Sequence, residues 1–143
     1  MFGSGKTSQN AIAAVSFLAE RYYYKSGASR VSSIEIAEAR NLPKPIVAKI
    51  LTTLSQAGYV KGSPGPGGGY RLAFPPDEIS FFDVVARFEE PGPPVMCPFG
   101  PEWCGNHNPC PLHDAIAALG DTMDAFLREN HFGMFVGEKE AAK

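Results

Sequence analysis

The sequence predicts a mainly α-helical chain carrying one small β-hairpin. Three observations lead there. Apolar residues recur at helical spacing in five separate stretches. A glycine- and proline-rich run, Gly62-Ser63-Pro64-Gly65-Pro66-Gly67-Gly68-Gly69, lies between two short aromatic and apolar segments, the pattern of two strands joined by a long turn. The only three cysteines, Cys97, Cys104 and Cys110, fall in one further Gly/Pro-rich stretch, which reads as a loop able to wrap around a ligand.

The elements follow in order. Over 8–24, Ala11, Ala14, Val15, Leu18, Ala19 and Tyr22 trace one helical face, with Ser8 as its expected N-cap. Lys25-Ser26-Gly27-Ala28-Ser29 breaks the pattern. Ser32 or Ser33 then caps a short helix with Ile34, Ile36 and Ala37 apolar and Glu35 or Glu38 in its early turns. Asn41-Leu42-Pro43 ends it. Pro43 and Pro45 suit the start of the next helix, because a first turn leaves its amides unused. Val47, Ile50, Leu51 and Leu54 form the buried stripe of that helix, and Gly58 stops it. Tyr59-Val60-Lys61 and Tyr70-Arg71-Leu72 are the two strands. A further helix is expected over 80–89, with Phe81, Val84, Val85 and Phe88 on one side. The last runs over 112–131 and is apolar at Leu112, Ala115, Ile116, Leu119, Met123, Phe126 and Leu127. Residues 137–143 read as a polar, frayed end.

Composition narrows the function. An apolar fraction of 44% suits a globular chain, and no apolar run is long enough to span a membrane. The start, Met1-Phe2-Gly3-Ser4-Gly5-Lys6, lacks the apolar core of a secretory signal. An odd cysteine count without a signal argues against a disulfide framework and for thiols used as ligands in a reducing cytoplasm. Gly3-Ser4-Gly5-Lys6-Thr7 imitates the end of a phosphate-binding loop, but no strand or leading glycine precedes it. No nucleophile–base or paired-carboxylate constellation is evident, so an enzyme is not expected.

Charge is unevenly placed. Residues 1–75 carry nine Lys/Arg against three Glu, a net +6, whereas 76–143 carry four Lys/Arg against twelve Asp/Glu, a net −8. A basic first half is the electrostatic footprint of a polyanion partner. The order helix, short helix, tight turn, helix, hairpin is that of a winged helix-turn-helix, in which a helix enters the major groove and a basic hairpin reaches the flanking backbone. Lys44, Ala48, Lys49, Thr52 and Gln56 lie opposite the buried stripe and would face DNA. Lys61 and Arg71 sit at the base of the wing. The candidate DNA contacts are therefore Ser33, Lys44, Lys49, Thr52, Gln56, Lys61, Ser63, Gly67, Gly68, Tyr70 and Arg71. Residues 1–75 form the DNA-binding domain in this reading. Residues 76–143 supply a linker helix, the cysteine loop (91–113) and a dimerisation helix (112–131).

The cysteine loop has the spacing C-x6-C-x5-C-x2-H, ending at His113. Thiolates and imidazole hold iron–sulfur clusters or zinc. His107 competes with His113 as the fourth donor; His113 is preferred because it opens a helix that can orient it. The same spacing approaches that of a zinc-stabilised CCCH module binding RNA or protein, with Phe99 and Trp103 available for stacking, but the loop is flanked by acidic residues and lacks the cations RNA needs.

Ala57-Gly58-Tyr59-Val60 followed by Pro64-Gly65-Pro66-Gly67-Gly68-Gly69-Tyr70-Arg71-Leu72 resembles the wing of the Rrf-two superfamily of bacterial transcription regulators, with its IscR-, NsrR- and RirA-like iron–sulfur members. Ile34-Glu35-Ile36-Ala37 resembles that family's first helix of the pair, and the likeness covers residues 4–131. The resemblance implies a homodimeric regulator, a repressor by preference, whose cluster controls binding to a palindromic DNA operator in response to redox state, iron or nitric oxide. Cys97, Cys104 and Cys110 match the family's three cysteine ligands, and His113 matches the histidine that completes a 2Fe–2S site in IscR-like members; 4Fe–4S is the alternative cluster. Where NsrR-like members take an aspartate from the partner subunit, this chain has Gln9 and Asn10.

Overall fold

The computed structural model describes residues 5–23, 27–89 and 111–136. All three cysteines, His107 and the tail from 137 lie outside the described residues. The elements are α1 (Lys6–Glu20), β1 (Tyr22–Tyr23), β2 (Gly27–Ala28), α2 (Ser33–Arg40), α3 (Lys44–Gln56), β3 (Val60–Ser63), β4 (Gly69–Leu72), a 3-10 turn (Pro76–Glu78), α4 (Phe81–Val85), α5 (His113–Glu129) and a second 3-10 turn (Phe132–Phe135).

Helix α1 starts earlier than its sequence pattern suggested. Gly5 occupies the cap position, and Ser8 lies buried inside the first turns, donating its hydroxyl to the Glu89 carboxylate. Ala11, Ala14, Val15, Leu18 and Ala19 pack into the core. The small side chains let α2 and α3 approach closely, and Arg40 fastens α2 to α1 through Ser16 (3.1 Å) and Glu20 (2.5 Å). The expected break after α1 instead includes a two-residue antiparallel pairing of β1 with β2.

Local chemistry sets the helix-turn-helix. The Ser32 hydroxyl accepts the Glu35 amide at 3.1 Å and so caps α2. Asn41 ends α2 in the left-handed region (φ 53), and the Leu42 amide returns to the Ala37 carbonyl at 2.8 Å, a Schellman closure. Pro43 then opens α3 with Pro45 in its first turn. Val47, Ile50, Leu51 and Leu54 are buried, as the sequence stripe required. Gly58, at φ 87, ends the helix, and the Tyr59 amide bonds back to Leu54 at 3.0 Å.

The wing pairs Val60 with Leu72, Lys61 with Arg71, Gly62 with Tyr70 and Ser63 with Gly69. Side chains alternate across a strand, so buried Val60 and Leu72 share a face with Gly62 and Tyr70, while Lys61 and Arg71 share the other. A single backbone bridge joins the wing to the segment before α2. The Val31 amide donates to the Tyr70 carbonyl at 2.9 Å, and the Tyr70 amide to the Val31 carbonyl at 2.7 Å.

Helix α4 begins with a capping box between Ser80 and Asp83 (3.0 and 2.9 Å) but ends at Val85, short of the expected 89. Residues 86–89 continue as turns, and Glu89 reaches Ser8. The final helix ends at Glu129. The chain then pairs with Ile79–Phe81, through Phe81 N–H to Asn130 O (2.9 Å) and Phe132 N–H to Ile79 O (3.0 Å). Phe132 is fully buried against Phe81, with ring centroids 4.7 Å apart. One buried cluster runs from Ala11 to Phe132. No described helix is long and apolar enough to cross a membrane.

Candidate nucleic-acid interface

Opposite its buried stripe, α3 presents Lys44, Pro45, Ala48, Lys49, Thr52 and Gln56, all exposed. Thr52 donates its hydroxyl to the Ala48 carbonyl at 3.0 Å, and Thr53 donates to Lys49 at 3.1 Å. Two clefts flank this face. On the wing side, a cavity of about 490 Å³ is lined by Thr52, Ser55, Gln56, Gly62, Ser63, Pro64 and Tyr70. On the α1 side, Thr7, Ile46, Lys49, Ile50, Thr53 and Phe88 line one of about 320 Å³. A convex helix between two clefts has the relief of a major-groove reader, with room for a sugar–phosphate strand on either side.

The fold therefore brings Thr52, Gln56, Ser63 and Tyr70 together around one cleft. Lys61 and Arg71 stand directly opposite each other on the far face of the wing. Like charges in cross-strand register destabilise a hairpin unless an anion lies between or beside them. Gly67 and Gly68 belong to the loop between β3 and β4, where the Gly68 amide bonds to the Gly65 carbonyl at 3.0 Å. Ser33 opens α2 and lines neither cleft. Ser55 and Pro64, which line the wing-side cleft, escaped the sequence reading. Ser55 lies three residues after Thr52, so helical spacing from Thr52 was the available signal.

Two described segments flank the cysteine loop in sequence. The first ends at Phe88 and Glu89, with Phe88 in the α1-side cleft beside Lys49 and Glu89 bound to Ser8. The second is α5, whose first residue is His113. His113 is half-buried, and its ring makes no hydrogen bond with another described residue. Among the described residues no group of three or more metal-ligating side chains gathers, and the three thiols lie outside them.

Helix α5 and its cap residue Leu112 carry one wide apolar stripe. Ile116, Gly120 and Leu127 pack inward, whereas Leu112, Leu119 and Phe126 remain 51%, 47% and 49% exposed. These three are seven residues apart, the repeat of a helix–helix seam.

A helix-turn-helix with a basic wing, followed by a long helix with an exposed seam, defines the class of winged helix-turn-helix transcriptional regulators. The sequence matches the Rrf2 family, described as an iron-dependent transcriptional regulator, over residues 5–138. The chain belongs to this family, whose members are regulators and not enzymes. A protein of Aquifex aeolicus named as an HTH-type transcriptional regulator is 33% identical over 96 residues, which cover 66% of this chain and 67% of that protein. The regulator IscR of Aliivibrio salmonicida is 29% identical over 106 residues, covering 74% of this chain and 62% of its own length, so the match spans less than two thirds of that relative. The solved structure of CymR, titled the global cysteine regulator of B. subtilis, superposes with a TM-score of 0.73 over 100% of this chain and 99% of that one at 21% identity, which establishes the shared fold.

Proposed function

We propose that the chain binds a palindromic duplex operator as a homodimer and that an iron–sulfur cluster held by Cys97, Cys104, Cys110 and His113 sets its affinity. The observation that carries the DNA reading is the facing pair Lys61 and Arg71 on a wing that shares a cleft with the exposed side of α3. In this reading α3 lies in the major groove, Lys49 and Thr52 reach base edges, and Lys61 and Arg71 neutralise phosphates of the flanking strand. Ser33, Lys44, Gln56, Ser63, Gly67, Gly68 and Tyr70 complete the contact surface. Lys61→Ala and Arg71→Ala are each expected to weaken binding to all sequences alike. Each should lower the slope of log affinity against log salt by about one. Gel shifts at two salt concentrations check this, and unchanged slopes for both variants would overturn the wing's role.

The donor set suits a cluster. Three thiolates are soft ligands, and His113 stands three residues beyond Cys110 at the head of a helix with its ring unengaged by other described residues. A histidine-ligated cluster supplies a one-electron centre that is more easily reduced than an all-cysteine one and can couple to a proton. A 2Fe–2S form is the reading, with 4Fe–4S the alternative. The protein's own part is transmission. Glu89 ties one loop stem to Ser8 of α1, and Phe88 beside it walls the cleft that contains Lys49 and Thr53 of α3. A rearranged loop therefore acts directly on the groove-facing helix. The spectrum of anaerobically purified protein tests the cofactor: a cluster absorbs in the visible range, and a colourless zinc protein would instead favour the CCCH reading. A DNA partner and thiol ligands that must stay reduced support a cytoplasmic setting for this reading.

Dimerisation uses the Leu112, Leu119 and Phe126 seam. Light scattering is expected to give twice the 15.4 kDa chain mass for the wild type and a fall toward one chain for Leu119→Glu. A wild-type monomer at micromolar concentration would remove the basis for a palindromic operator.

A further inference from the structure

The outward face of α3 is poor in groups that form directed hydrogen bonds. From Lys44 to Gln56 it has no acidic residue, no arginine and no asparagine. The exposed positions away from its buried stripe are Lys44, Pro45, Ala48, Lys49, Thr52, Ser55 and Gln56. Thr52 spends its hydroxyl proton on the Ala48 carbonyl, so it offers outward a methyl group and oxygen lone pairs. Ile46, 37% exposed, borders the same face.

We propose that α3 reads A·T base pairs, with Pro45, Ala48 and the Thr52 methyl packed on thymine methyl groups and Gln56 on an adenine edge. The inference deepens the DNA-binding reading and rests on it. In the major groove, arginine or lysine pairs with guanine, acidic side chains with cytosine, asparagine or glutamine with adenine, and apolar groups with the thymine methyl. Measured against that code, a cytosine reader is absent from α3. Lysine is a point charge that lacks the planar fork of arginine and serves phosphates as readily as guanine, so Lys44 and Lys49 discriminate weakly. Serine hydroxyls pair with either kind of base, so Ser55 does not discriminate. What remains are apolar surfaces and one carboxamide, and both report the same base pair. Pro45 to Thr52 extends about 10 Å along the helix axis at 1.5 Å per residue, which is about three base steps. The thymines should therefore cluster within one short tract of each half-site.

The test uses the anaerobically purified protein. Duplexes are selected from a random library at low salt, and the recovered site is remade with deoxyuridine in place of each thymine in the tract. Uracil keeps the pairing edge and loses only the methyl. Each replacement is expected to weaken binding about fourfold, the value of one buried methyl group. Thr52→Ser, which deletes the side-chain methyl and keeps the hydroxyl, should lose the discrimination at one thymine and retain it at the others. Half-sites dominated by G·C pairs over the tract, or equal affinity for thymine and uracil duplexes, overturn the proposal while leaving DNA binding intact. Recovery of no duplex overturns the DNA-binding reading itself.

Discussion

Replacing Gly69 with alanine is expected to destabilise the protein by about 3–5 kcal/mol and to uncouple the wing from the helix-turn-helix. Gly69 has φ 129, a conformation that side-chain-bearing residues avoid, and an added Cβ would lie 2.7 Å from the Val31 carbonyl oxygen. That carbonyl is half of the bridge that holds β4 to the segment before α2. The strained backbone accounts for about 1–3 kcal/mol. The two hydrogen bonds between Val31 and Tyr70 add about 1 kcal/mol each when lost. Gly65→Ala is the comparison, because Gly65 has φ 82 but open space around it. It carries only the conformational cost of about 1–2 kcal/mol. Urea unfolding should separate the two variants. In a salt titration with operator DNA, Gly69→Ala should lose the wing's share of the slope, as Lys61→Ala and Arg71→Ala together do, whereas Gly65→Ala should not. Equal behaviour of the two glycine variants would mean that the Val31 bridge does not set the wing.

The helix-turn-helix was legible because its signals are local. A serine three residues before a glutamate, an asparagine at the turn, two prolines at the next start and a four-residue buried stripe each act within one or two turns of chain. The hairpin was legible for the same reason, although β3 runs on to Ser63 and β4 begins at Gly69, because strand ends depend on pairing rather than on residue type. Distant partners decide the rest. Ser8 resembles a cap in isolation, but Lys6 and Thr7 extend α1 upstream, and the hydroxyl serves Glu89 some eighty positions away. Helix α4 stops at Val85, four residues before Glu89 meets that hydroxyl. Phe132 belongs to a four-residue 3-10 turn without usable periodicity, and its burial comes from pairing with Ile79–Phe81.

At the candidate interface, amphipathic spacing identified the exposed residues of α3, but it carried no information about hydroxyl direction. That Thr52 presents a methyl and no proton is a rotamer fact. Nor could spacing reveal that Phe88, read as a core residue of a linker helix, walls a cleft with Lys49. This adjacency of Phe88 and α3 depends on tertiary packing alone.

Substituting Cys97, Cys104 and Cys110 together with alanine is expected to remove the cluster and change operator affinity about tenfold or more, while leaving a folded dimer. The fold should survive because the described elements close a buried core among themselves, from Ala11 in α1 to Phe132. The affinity change follows from linkage. If the cluster alters DNA affinity by a given factor, the operator must alter cluster affinity by that same factor; couplings of this kind are typically about 5- to 150-fold. Two measurements on the wild type should therefore agree: the ratio of operator affinities with and without cluster, and the slowing of chelator-driven iron loss when operator is present. His113→Ala should act differently, keeping the thiolates and giving a labile cluster or a shifted reduction potential. Ser8→Ala removes the hydroxyl that holds Glu89, so it should leave the visible spectrum intact and reduce the affinity ratio between loaded and cluster-free protein. A triple-cysteine variant that binds operator as tightly as loaded wild type under anaerobic conditions would end the sensor model, because no free energy would then connect the loop to α3.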